Sequence, residues 1–102
     1  MVITKSTPFT KEEIEKRNKQ ILGALAMDLK RVALSYYRGS DKTAEVFYKE
    51  ALKRRNELDK KDLKPYLTRF LSRMESLQNE KKDKAAENAL LYSTIFQNAS
   101  HS

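Results

Sequence analysis

Apolar positions recur at helical spacing along most of this chain, and the longest such run extends from Lys11 to Arg38. Thr10 has the chemistry of an N-cap and Glu13 stands at the position that completes a capping box. Phe9 and Ile14 have the spacing of a hydrophobic staple across the same helix start. Gly39 supplies the left-handed residue that ends the run. The pattern therefore predicts one helix over 11–38. Its first half carries a narrow seam, Ile14, Asn18, Ile21 and Leu25, spaced by four, three and four residues as in a coiled coil. Around that seam Glu12–Lys16, Glu13–Arg17 and Glu15–Lys19 stand in the favourable acid-before-base order at i,i+4. In the second half the apolar face widens to Leu22, Ala26, Leu29, Val32, Ala33 and Tyr36, the width of a helix packed against two neighbours.

Three shorter helices follow. Ser40 or Asp41 can cap one over about 42–58, striped by Ala44, Phe47, Tyr48, Ala51, Leu52 and Leu58. Asp62 can cap the next, over 63–78, with Pro65 tolerated in its first turn. Its stripe is Leu63, Tyr66, Leu67, Phe70, Leu71, Met74 and Leu77. Asp83 can cap the last, over 84–99. That helix is apolar nearly all round, which predicts either the central element of a bundle or part of a subunit interface. The short connections make successive helices antiparallel. The expected fold is all-α, a four-helix antiparallel, up-down bundle with a long first helix, in one domain spanning 1–102 with a leader at 1–9.

Length arithmetic sharpens this picture. The first helix should span about 42 Å and the others about 24 Å each. The second helix, running back from Arg38, should reach no further than about Leu22, so residues 11–20 should project beyond the bundle. Isolated helices below about 12–15 residues are marginal, so the projecting seam calls for a cover. A second copy of the chain is one candidate, and the leader residues Val2, Ile3 and Phe9 folded back are another. Ile14, Asn18, Ile21 and Leu25 are thus the candidate protein interface. Asn18 either pairs with its mate across a dimer seam or is a solvated helix residue. Asp28 is expected on the solvent side of the stripe, beside Lys30 and Arg31.

Composition then narrows the chemistry. The chain has 102 residues, no cysteine, two glycines and one histidine. Disulfides and thiolate zinc sites are excluded, and the lone His101 sits next to the end of the last helix. There is no glycine-rich phosphate loop and no Glu-x-x-His pair for a di-iron bundle. No catalytic, metal or cofactor residue is therefore expected, and the chain reads as non-enzymatic. Neither a signal peptide nor a run of about 18 apolar residues is present, which points to the cytoplasm and away from the membrane. The Asn98-Ala99-Ser100 sequon carries no weight without a secretion signal.

The net charge of +7 leaves a second functional reading open. Lys53, Arg54, Arg55, Lys60, Lys61 and Lys64 flank the second turn. They share an end of the bundle with Lys11, Lys16, Arg17 and Lys19, so one pole should be basic. A nucleic acid or other polyanion could bind there, although acids are mixed into the same segments. The leading expectation is a helical interaction module acting as a homodimer, or with another protein. The alternative is a small polyanion-binding protein using that pole.

Overall fold

The computed structural model describes residues 10–102, and every statement below concerns those residues; Phe9 of the expected staple and the rest of the leader lie outside them. Four α-helices run in the order α1 (Lys11–Tyr37), α2 (Asp41–Glu57), α3 (Pro65–Arg73) and α4 (Lys82–Ser100). Short 3-10 segments at Lys60–Asp62 and Met74–Asn79 flank α3. No strand occurs among the described residues, and the helices form an all-α bundle.

Helix α1 begins as its sequence dictates. Thr10 Oγ1 accepts from the Glu13 N–H at 3.1 Å, and Glu13 Oε1 accepts from the Thr10 N–H at 2.9 Å. The Thr10 backbone N–H first, and then the Thr10 hydroxyl, hold the Glu13 carboxyl below its usual range. The helix ends in a Schellman turn. Gly39 N–H donates to Tyr36 O at 3.0 Å and Ser40 N–H to Ser35 O at 2.8 Å. Gly39 adopts φ +77°, a region a side chain would make costly.

The long helix is the common partner of two others: α2 packs on one side of it and α4 on another. The seam that starts Ile14, Asn18, Ile21 and Leu25 continues at the same spacing as Asp28, Val32 and Ser35, and every member after Ile14 is buried. This seam meets α2 at Asp28 and the connection after α2 at Asn18, through the contacts described below. A parallel stripe, Leu22, Ala26, Leu29 and Ala33, is also buried, and Ala26 O accepts a 2.8 Å hydrogen bond from the Ser93 hydroxyl of α4. On α4 the buried positions include Ala85, Ala86, Ala89 and Ser93. Small side chains on both helices let the two backbones approach closely.

Helix α4 is therefore not the central element, which is α1. It turns its alanines to α1, adds Tyr92 and Phe96 to the core, and leaves Leu90 and Leu91 outside. The remaining side is closed by α3 and the 3-10 segment after it, which contribute Leu67, Leu71, Met74 and Leu77. Phe70 of α3 meets Tyr92 of α4 with ring centroids 5.7 Å apart. Tyr48 of α2 donates its hydroxyl to Met74 O at 2.9 Å.

The third helix is shorter than its periodicity predicts. Pro65 is its first residue, and a residue preceding proline is driven out of the helical region. Lys64 is accordingly extended, with ψ 145°, so the helix cannot begin at Leu63 and Asp62 is not its cap. From Met74 the winding tightens to 3-10, where the Tyr48 hydroxyl and the Arg55 guanidinium claim the carbonyls of Leu71, Met74 and Glu75. Helix α4 starts at Lys82 with Lys81 at its cap position, so Asp83 serves in the first turn, where its charge suits the helix dipole.

Candidate functional site

Of the four residues of the expected interface, three are covered by the chain itself. Ile21 and Leu25 are core residues, Asn18 is buried, and only Ile14 remains half-exposed. The projecting part of α1 is thus shorter than the length arithmetic gave. The reason is local. After α2 the chain continues extended through Leu58 and Asp59, with ψ 139° and 104°. Extended residues advance about 3.3 Å each, more than twice the helical rise. Asp59 consequently reaches Asn18. There the Asn18 Nδ2 donates to Asp59 O at 3.0 Å, and the Asp59 N–H donates to Asn18 Oδ1 at 3.0 Å. Asn18 is neither solvated nor facing a second copy; it fastens the α2–α3 connection to α1.

Asp28 corrects a second expectation. It is buried in the α1–α2 seam, with Arg54 Nε 3.3 Å and Arg31 Nη1 3.6 Å from its oxygens. Arg31 also lies over the Phe47 ring, 5.5 Å from its centroid. Burial pushes the Asp28 carboxyl above the usual aspartate range; the Arg54 hydrogen bond and charge, and then the Arg31 charge, oppose this, while Glu50 adds to it. Burial dominates, so the folded protein holds this proton to a higher pH than the unfolded chain does. The ionised carboxylate therefore works against stability above its folded-state pKa, and that cost disappears as pH falls through it. Asp28→Asn should match or exceed the wild-type melting temperature at neutral pH. Its advantage should shrink as pH is lowered through the carboxylate range. Paired thermal melts check this, and a variant several degrees less stable at neutral pH would show that the Arg54 pair outweighs burial.

The expected polyanion pole is likewise depleted from within. Arg54 is engaged by Asp28. Arg55 points inward, donating Nη1 to Leu71 O at 3.1 Å and lying 3.1 Å from Glu75 Oε1. Lys53 pairs with Glu50 at 3.3 Å. Lys60, Lys61 and Lys64 are exposed, so the unneutralised charge has moved off α2 and onto the start of α3.

Three buried or half-buried phenols are not activated. Burial above all raises Tyr36, Tyr48 and Tyr92, with Glu45 and Asp41 adding to the effect at Tyr36 and Glu80 at Tyr92. Each is a neutral hydroxyl at physiological pH. A cleft of about 290 Å³ between α1, α2 and the second 3-10 segment is lined by Tyr36, Tyr48, Glu45, Lys49 and Gln78 over Val32, Leu52 and Leu77. The Tyr48 hydroxyl in it is already committed to Met74 and Glu75. His101 sits exposed at the end of α4, its Nε2 2.7 Å from Gln97 Nε2. Among the described residues no three His, Cys, Asp or Glu side chains gather where a metal ion could be held. No helix among them is long and apolar enough to cross a membrane.

Two surfaces stand out by what they lack. The outer face of α4 lacks charge: residues 88–100 contain none, in a chain that is 34% charged. Leu90 is 39% and Leu91 50% exposed there, and Met27 of α1, 46% exposed, borders a shallow groove with Leu90, Lys30 and Thr94. The outer face of α3 lacks acid: no carboxylate occurs from Leu63 to Met74, while Lys64, Arg69 and Arg73 are exposed. The sequence already marks α4 as sparsely charged and a subunit interface as one of its two readings; only the acid-free run of α3, equally readable from the sequence, was passed over.

Fold and surfaces together define an all-α bundle with two bare faces. No family model, curated protein or solved structure matches the chain.

Proposed function

We propose that the protein is a non-enzymatic helical interaction module that works as a homodimer, joined through the outer face of α4. The observation that carries this reading is the uncharged stretch 88–100 with Leu90 and Leu91 exposed on it. Interface centres are depleted of charge relative to the rest of a protein surface. Two copies of a chain with net charge +7 repel each other, and an uncharged face is where a contact between them adds least to that repulsion.

The face is also self-complementary. Lys84, Glu87, Leu91, Thr94, Asn98 and His101 form one stripe, with spacings of three, four, three, four and three that read the same in both directions. Two such stripes meeting antiparallel about a twofold axis place Leu91 beside the partner's Thr94 and Glu87 beside the partner's Asn98. Leu90 and Met27 would flank this contact.

Light scattering across micromolar concentrations tests the reading. Wild type should show a dimer, and Leu91→Glu should be a monomer with unchanged helical circular dichroism, because Leu91 makes no part of the core. A dimer that survives Leu91→Glu would place the contact elsewhere, and a wild-type monomer would remove the homodimer.

A further inference from the structure

We infer that the outward face of α3 is a binding site for single-stranded nucleic acid, with Arg69, Arg73 and Lys64 holding phosphates and Tyr66 stacking on a base. This inference does not depend on the dimer. The α3 helix buries Leu67 and Leu71 and half-buries Phe70. That orientation fixes what it shows to solvent. Tyr66, Arg69 and Arg73 lie at i, i+3 and i+7 and form one outward stripe. Lys64, Thr68 and Ser72 lie at i, i+4 and i+8 and form a second beside it, and all six are exposed. Lys60, from the 3-10 segment before α3, lines a groove with Thr68, Ser72 and the paired Arg55 and Glu75. The face therefore offers cations and hydroxyls, the groups that bind phosphodiester oxygens.

Few acids border this face. Of the two carboxylates that follow α3, Glu75 lines the groove but is paired with Arg55 at 3.1 Å, and Glu80 accepts from Asn88 Nδ2 at 2.9 Å. Asp62 and Glu15 border the cleft at the foot of the helix, where Tyr66 and Lys64 meet Lys19. A bound strand would run from that cleft up α3 towards Arg73, away from both acids. Arg73 is held in place by the Phe70 ring, 5.2 Å beneath its guanidinium carbon.

The chemistry favours a single strand over the other polyanions. Tyr66 is 43% exposed and stands two residues from Lys64 and three from Arg69. An exposed ring flanked by cations is how unpaired bases are held without sequence readout. A bilayer would require apolar side chains to insert, and the aliphatic ones of α3, Leu67 and Leu71, are in the core.

Fluorescence anisotropy with labelled oligo-dT and oligo-U, at several salt concentrations, tests the site on the full chain. Binding should weaken as salt rises. Arg69→Glu/Arg73→Glu should reduce affinity at least about tenfold and lower the log–log salt slope by about 1.4, the share of two phosphates on a single strand. Tyr66→Ala should cost about fivefold or more, the low end of one base stack. Lys42→Glu/Lys81→Glu changes the net charge equally at the opposite end of the bundle and should leave affinity within about twofold. Arg69→Gln/Arg73→Gln, a milder pair, should show an intermediate loss if the reversal perturbs folding. Absence of binding at low salt overturns the inference. So does an equal loss in the Lys42/Lys81 variant, an unchanged Tyr66→Ala, or equal affinity for phosphatidylserine vesicles.

Discussion

Asn18→Ala should destabilise the protein by about 3 kcal/mol, because it strips two partners at once from a partly buried turn. The Asn18 amide behaves towards Asp59 as another peptide group would, donating to its carbonyl and accepting from its N–H, both at 3.0 Å. Removing the amide leaves both backbone groups without their protein partner, and each such loss costs about 1–3 kcal/mol. For a domain of this size that corresponds to a fall in melting temperature of roughly 10–20 °C. Asn18→Asp should fare no better, since it keeps the acceptor but turns a charged oxygen towards the Asp59 carbonyl. Thermal and urea unfolding measure the effect. A loss below about 1 kcal/mol would mean that water replaces the amide without penalty. A further signature separates this role from a seam between copies: the loss should not depend on protein concentration.

Phe96→Ala should have the larger effect, about 3–5 kcal/mol. Phe96 heads the fully buried side chains by size, and it sits in the same core cluster as Leu25, Leu29, Val32 and Met74. It comes from α4, whose other contributions to the α1 contact are mainly alanines and a serine. The core share of that helix is therefore concentrated in Phe96 and Tyr92. Against a total stability of about 5–15 kcal/mol for a small domain, losing the ring removes roughly a fifth or more. Phe96→Leu should cost markedly less, because most of the cavity stays filled. Urea titrations of both variants check this, and near-equal midpoints for Phe96→Ala and wild type would show that the core closes over the gap.

The long helix was legible because its boundaries are chemically marked. Thr10, Glu13 and Gly39 act at α1 as their residue types require. The up-down order follows from short turns. The placement of polar side chains was not legible by residue type, and it misled in a consistent way. Asp28 continues the Ile14–Leu25 spacing by the same alternation of three and four, so periodicity puts it inside, yet its charge argues for solvent. Arg55 likewise continues the buried Tyr48–Ala51 stripe of α2. In both cases geometry prevailed because a partner was available to satisfy the charge: Arg54 for Asp28, and Leu71 O with Glu75 for Arg55. Those partners lie far along the chain and cannot be read from the local pattern. Helix α4 posed the opposite difficulty. Apolar residues all round say nothing of which side packs, and the small side chains won the inside because they allow the closest approach to α1.

The shared position of α1 also sets an order of assembly. Helix α2 follows it after three residues, so the contacts between them close short loops. Helix α4 reaches α1 from much further along the chain, with Ser93 and Ala26 separated by 67 positions. Closing longer loops costs more entropy, and non-local contacts form more slowly. The α1–α2 hairpin is thus the part of the molecule that can gather first. Helix α4 is then the closing piece, docking on a surface that the earlier contacts have already shaped.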